Sequence, residues 1–199
     1  MRLQRRYSRS VNVDPKANYL SLPDNLPVPK DDGQAAHLLG KTLPSISLTS
    51  TSGDLVLLDR LPHRTVIFVY PMTGVPGVAL PEGWDEIPGA RGCTPQACSY
   101  RDSYQEIRRY ADAVFGLSNQ GTKYQSEFRD RVHLPYHLLS DEKGEFQRAL
   151  GLPTFKLHGV TYLKRLTLII DSGVIIKIHY PVFPSNEDAT WAIETLKGI

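Results

Sequence analysis

Thr65-Val66-Ile67-Phe68-Val69-Tyr70 is an unbroken run of β-branched and aromatic residues, closed by Pro71. A run with no polar face reads as a strand covered on both sides by other elements. Proline has no backbone N–H with which to continue a ladder, so the strand is expected to stop at Tyr70. Similar texture returns in Ala113-Val114-Phe115-Gly116-Leu117-Ser118, in 134–139 and in Leu166-Thr167-Leu168-Ile169-Ile170. Between these runs, apolar residues recur at helical spacing over 95–110, 124–131, 145–151 and 186–197. Two hairpins are expected, one across Ser52-Gly53-Asp54 near the start and one across Asp171-Ser172-Gly173. Helices alternating with strands, plus an antiparallel hairpin late in the chain, predict an α/β fold: a central mixed β-sheet flanked by helices, with an N-terminal β-hairpin.

With 199 residues the chain is long enough for one domain with a buried core. Residues 1–33 are polar and punctuated by Pro15, Pro23, Pro27 and Pro29, and read as an extended arm; 34–199 read as the domain. A net charge of +2, without a basic-aromatic stripe, gives no reason to expect nucleic acid. No apolar run approaches the roughly 20 residues of a membrane span. The basic stretch 1–10 lacks an apolar segment, so a flexible tail is expected rather than a secretory signal. Two cysteines are too few for a secreted disulfide scaffold, and a reducing cytoplasm is the expected setting.

Those two cysteines lie five residues apart in Gly92-Cys93-Thr94-Pro95-Gln96-Ala97-Cys98, after a long Gly/Pro-rich loop. Threonine is a good N-cap and proline a good first helical residue, so Thr94 is expected to cap a helix opened by Pro95. Cys93 then lies just outside the helix, where the dipole's positive end favours a thiolate. Cys98 falls near the end of the first turn with less help. This asymmetry suggests that Cys93 reacts first and Cys98 follows. Five residues of α-helix rise roughly 7.5 Å, while a disulfide needs Cα atoms within about 7 Å. Closing the bond is therefore expected to need local unwinding. The six histidines do not cluster, and no metal or organic cofactor is expected.

The strand ending in Tyr70-Pro71, then Gly92-Cys93-Thr94-Pro95-Gln96-Ala97-Cys98-Ser99-Tyr100-Arg101-Asp102, resembles the peroxiredoxins, in particular the peroxiredoxin Q or bacterioferritin comigratory protein subgroup. Gly116-Leu117-Ser118, Leu134-Pro135-Tyr136-His137-Leu138-Leu139-Ser140-Asp141 and Arg165-Leu166-Thr167-Leu168-Ile169-Ile170-Asp171 continue the likeness in order. The resemblance implies a thioredoxin-like fold and a thiol-dependent peroxidase acting on hydrogen peroxide and organic hydroperoxides. It implies that Cys93 is the peroxidatic residue, that Cys98 resolves its sulfenic acid to an intramolecular disulfide, and that Arg165 sits beside the thiolate. It also implies a thioredoxin- or glutaredoxin-type reductant and a monomer or noncovalent dimer.

The chain departs from that family in one place. Members usually carry Thr or Ser three residues before the first cysteine and a proline four residues before that; here Ala90 and Glu86 stand there. Residues 74–91 read as an insertion, with Thr73 as the candidate to fold back and supply the hydroxyl, and Gly92 and Thr94 as further candidates for positioning substrate. The apolar insertion could shape a pocket for bulkier hydroperoxides. Arg91, next to the pair, is expected to be a solvated loop residue. The alternative reading is a non-enzymatic redox sensor or partner-binding protein on the same fold.

Overall fold

The computed structural model describes residues 13–14 and 19–199. The basic stretch 1–10, and Pro15 with it, lies outside the described residues. In chain order the strands are β1 (Val13–Asp14), β2 (Ser47–Ser50), β3 (Leu55–Leu57), β4 (Arg64–Val69), β5 (Gly77–Val78), β6 (Ala113–Ser118), β7 (His137–Ser140), β8 (Thr154–Leu157), β9 (Val160–Leu163), β10 (Leu166–Asp171) and β11 (Val174–His179). The helices are α1 (Cys93–Asp102), α2 (Tyr104–Ile107), α3 (Thr122–Arg131), α4 (Glu145–Leu150) and α5 (Asp188–Lys197).

Seven strands form the central sheet in the order β11-β10-β4-β6-β7-β2-β3. β4, β6 and β7 run parallel, while β10, β11, β2 and β3 join antiparallel. The mixed sheet and its N-terminal β2–β3 hairpin are those the sequence predicted. β4 lies near the middle and is buried on both faces, because alternate side chains point opposite ways along a strand. Val66, Phe68 and Tyr70 join one apolar layer with Tyr100, Ile107, Phe128 and Ile193 from the helices. Ile67 and Val69 join the other with Leu117, Leu139, Phe146 and Leu168. Phe68 stacks on Tyr100 with ring centroids 4.4 Å apart, tying the C-terminal half of α1 to the sheet. Each such fully buried side chain contributes about 1.5–3 kcal/mol of transfer free energy.

Several boundaries differ from expectation. The helix predicted over 95–110 is two helices, broken at Ser103 (φ −94°, ψ 2°). Asp102 and Ser103 compete with the backbone for hydrogen bonds and weaken a helix there. The strand expected over 134–139 is β7 at His137–Ser140, since Pro135 can donate nothing to a ladder. The last helix begins at Asp188 after a short turn over Ser185–Glu187. The β8–β9 hairpin was not foreseen: it turns at His158 and Gly159, both at positive φ (49° and 79°). The long loop after Pro71 carries β5, paired with β1, and a short helical turn at Trp84–Glu86. Of the segment preceding the domain, Tyr19 is buried and Asp32 bonds Lys164 and Tyr180. Among the described residues no helix is long and apolar enough to cross a membrane.

Candidate active site

The turn into α1 is set by Gly92, which holds φ at 102° and accepts the first helical bond from the Gln96 amide at 3.0 Å. A side chain here would meet the Ser185 hydroxyl oxygen at 2.2 Å, and that hydroxyl donates to the Gly92 carbonyl at 2.9 Å. The expectation that Thr94 caps the helix is therefore corrected. The left-handed glycine starts the helix one residue before Thr94, the Thr94 hydroxyl makes no capping bond, and Cys93 is the first helical residue. Pro95 falls third, where an amide would have had no intrahelical acceptor anyway.

Cys93 is 4 % exposed. Its Sγ lies 3.2 Å from Arg165 Nη2 and 3.6 Å from the Ala90 carbonyl oxygen. Arg165, itself buried just before β10, donates from the same Nη2 to the carbonyls of Ala90 (3.2 Å) and Arg91 (3.0 Å), and from Nη1 to Gln96 Oε1. A guanidinium donating to sulfur stabilises the anionic form and has no acceptor capacity of its own. One arm of Arg165 is thus aimed at the sulfur, at the end of the helix where the first-turn amides have no intrahelical partner.

Behind them lies a group of residues that the sequence did not single out. Gln96 Nε2 donates to Asp188 Oδ2 at 2.7 Å. That carboxylate, wholly buried, also accepts from Thr167 Oγ1 (2.6 Å), Tyr100 Oη (3.1 Å) and His179 Nδ1 (2.8 Å). Burial, and then the Asp188 charge, push the Tyr100 hydroxyl well above its ordinary pKa, so it stays a donor. His179 stacks on Trp191 with centroids 4.5 Å apart. Only the folded chain brings position 188 to position 96, and no local spacing signals it.

The other candidates are placed as follows. Cys98 is half-buried on α1, a free thiol like Cys93. Burial raises its pKa, partly offset by the nearby Arg101. Both sulfurs sit on one continuous helix. Thr73 is buried and donates its hydroxyl to Gln120 Oε1 at 3.0 Å, its amide to the same atom at 2.9 Å, and its carbonyl accepts from Tyr124 at 2.7 Å. Its hydroxyl proton is thus directed to the segment after β6. Ala90 is buried and brings no hydroxyl. Arg91, expected in solvent, is mostly covered: it pairs with Asp85 at 3.1 Å and lies over the Tyr19 ring at 5.1 Å, because the insertion folds back across it.

The crevice in front of Cys93 is walled by Tyr19, Met72, Leu80, Trp84, Arg91 and Thr94, and its free volume is only about 10 Å³. That is about the space of one water. Rather than opening a broad pocket for bulky substrates, the insertion and the preceding segment close over the sulfur. Trp84 is anchored there by edge contact with Tyr162 at 4.9 Å and by Phe155 at 5.7 Å.

Residues 38–193 match the Redoxin family. The chain belongs to that family. Within the redoxins it stands with the peroxiredoxins of the Q and bacterioferritin comigratory type, whose fold is thioredoxin-like. Peroxiredoxin bcp1 of Schizosaccharomyces pombe is 36% identical over 115 residues, covering 57% of this chain and 51% of that protein. The match thus spans about half the length of that curated relative. The peroxidoxin BcpB of Mycobacterium tuberculosis superposes with a TM-score of 0.66 at 26% identity, covering 81% of this chain and 97% of that one. The bacterioferritin comigratory protein of Xanthomonas campestris superposes with a TM-score of 0.62 at 19% identity over 87% of this redoxin and 97% of its own chain, and shows the shared fold.

Proposed function

We propose that this redoxin is a thiol-dependent peroxidase that reduces hydrogen peroxide and organic hydroperoxides. The observation that carries the reading is Arg165 Nη2, 3.2 Å from a buried Cys93 Sγ at the first turn of a helix. The Cys93 thiolate attacks the terminal peroxide oxygen: an S–O bond forms, the O–O bond breaks, and water or an alcohol leaves after protonation. Arg165 and the first-turn amides meet the charge that develops on the oxygens. The Cys98 thiolate then attacks the sulfur of the Cys93 sulfenic acid: an S–S bond forms, the S–O bond breaks, and the hydroxide leaves as water after protonation. An external dithiol of the thioredoxin or glutaredoxin type returns both thiols by exchange. The alkyl peroxide reduction named for the Xanthomonas protein supports the same chemistry here.

With both sulfurs on α1, five residues apart, the helical rise of roughly 7.5 Å exceeds the Cα separation of about 7 Å that a disulfide tolerates. The first turns of α1 unwind before Cys98 can reach Cys93. Residues 1–33 act as an arm of the 34–199 domain, and the protein works as a monomer or noncovalent dimer in a reducing compartment such as the cytoplasm. Gly92 and Thr94, which line the crevice, position the peroxide through backbone and hydroxyl groups, while Thr73, whose hydroxyl is held by Gln120, supports the crevice wall from behind.

Stopped-flow mixing with hydrogen peroxide is expected to show fast oxidation of wild type, none in Cys93→Ser, and a persistent sulfenic acid in Cys98→Ser. Unchanged peroxide consumption in Cys93→Ser would exclude the reading. The closed crevice and Ala90 favour one alternative, a redox sensor with slow turnover. It predicts redox-dependent partner binding with negligible steady-state peroxide consumption.

A further inference from the structure

A second and larger cavity, about 300 Å³, opens beside Arg165. It lies where the segment before the domain, the end of the insertion, the β8–β9 hairpin and the loop after β11 converge. Its apolar wall includes Ile87, Phe155 and Val182; Lys30, Lys164 and Arg165 bring three cations to it. One carboxylate, Asp32, also borders it, but Lys164 and the Tyr180 hydroxyl already hold that group. Their bonds keep the Asp32 pKa near about 2, so it remains ionised and neutralised by Lys164. Lys30 is exposed and free to lean over the opening.

Arg165 adds an independent observation. It is 3 % exposed, and both of its terminal nitrogens have neutral oxygens or the Cys93 sulfur as partners. Its Nε has no partner among the described residues. That nitrogen is shut off from solvent, so the guanidinium acts on the cavity through its positive charge, which no carboxylate among its named partners offsets.

We propose that this cavity binds an amphipathic carboxylate: an apolar body against Ile87, Phe155 and Val182, with one anionic head paired with Lys30 in the field of the Arg165 guanidinium. On the measure by which the crevice at Cys93 holds about one water, a cavity of about 300 Å³ has room for an eight-carbon chain with its head group. The site is separate from the crevice at Cys93, which is bounded by other residues, yet Arg165, which lines the cavity, also donates to the Cys93 sulfur. Occupancy there therefore bears on how strongly Arg165 holds the Cys93 sulfur.

Octanoate is the probe, titrated calorimetrically into the reduced full-length chain. One site is expected, about tenfold tighter for octanoate than for 1-octanol or acetate. Lys30→Glu, a change on an exposed side chain that leaves the core intact, is expected to weaken octanoate about fivefold. Val182→Trp, which fills the cavity, is expected to abolish binding. Arg165→Met is expected to weaken octanoate about tenfold while leaving octanol unaffected. Octanol binding as tightly as octanoate, or octanoate affinity unchanged by Lys30→Glu and Arg165→Met, would overturn the proposal. Every readout is binding to the resting protein without turnover, so failure here and failure of the peroxidase reading are told apart.

Discussion

Cys93 and Cys98 share α1, yet their surroundings are opposed. Cys93 opens the helix, sealed under Tyr19 and Trp84 and held by a guanidinium that Gln96 and Asp188 fix in turn. Cys98 is half-buried, no donor among the described residues meets its sulfur, and burial favours its neutral form. The difference supports the proposed roles: a guanidinium donates to one sulfur where it stands, while burial disfavours the thiolate of the other. In the proposed cycle, the unwinding that brings the sulfurs together would also lift Cys98 out of the setting that disfavours its thiolate.

The sharpest way to break this contrast is to remove the guanidinium. Arg165→Met is expected to slow Cys93 oxidation by about a hundredfold or more, read by stopped-flow fluorescence, with Cys98 alkylation unchanged. A rate within a few-fold of wild type would mean that the two sulfurs differ little in electrostatics.

Next comes the support behind the arginine. Asp188→Ala leaves Gln96, Tyr100, Thr167 and His179 facing an emptied buried site. We expect it to destabilise the fold by about 3 kcal/mol, as for other broken buried networks, measured by urea unfolding. Where the protein remains folded, Cys93 oxidation should fall about tenfold as Arg165 loses its bracing. Loss of stability with an unaltered oxidation rate would make Asp188 structural only.

A pH series separates the two steps. Burial raises the Cys98 pKa, so at neutrality little of it is ionised. Disulfide closure in single turnover should therefore accelerate about tenfold per pH unit and continue to rise beyond about pH 8.5, the ordinary thiol value. The sign for stability follows: a pKa raised in the folded state favours folding below the unfolded value, and the contribution disappears as pH climbs through the raised one. A closure rate that plateaus below pH 8 would refute the asymmetry from the Cys98 side.

The smallest effect concerns access. Trp84→Ala should open the crevice and speed oxidation by a bulky hydroperoxide such as cumene hydroperoxide about fivefold, while hydrogen peroxide changes less. Equal effects on both oxidants would show that Trp84 does not gate by size.

Much of this contrast was legible before any coordinates. Thr65–Tyr70 carries apolar side chains on both faces and so declares a central strand. The Gly92–Cys98 junction and Arg165, read with the family resemblance, pointed to the site. Other features were not legible, for identifiable reasons. Thr94 looked like a cap because threonine usually is one, but Gly92 at positive φ overrode that preference. The β8–β9 turn uses His158 and Gly159, outside the usual Asn-Gly and Asp-Gly signals. Arg91 looked solvated because nothing local predicts that Tyr19 and Asp85 will cover it.

By itself the amino-acid sequence determined where the central strands and the main helices run, though not the β8–β9 hairpin or the break at Ser103, since side-chain period and chain-breaking residues act over a few neighbours. It also determined that two thiols meet at a helix start. Only the tertiary structure decided what each thiol feels. Arg165 lies 72 residues from Cys93 in the chain, and Asp188 lies 92 from Gln96. Charge and hydrogen bonding act through space, and those distances close only when the sheet and helices pack.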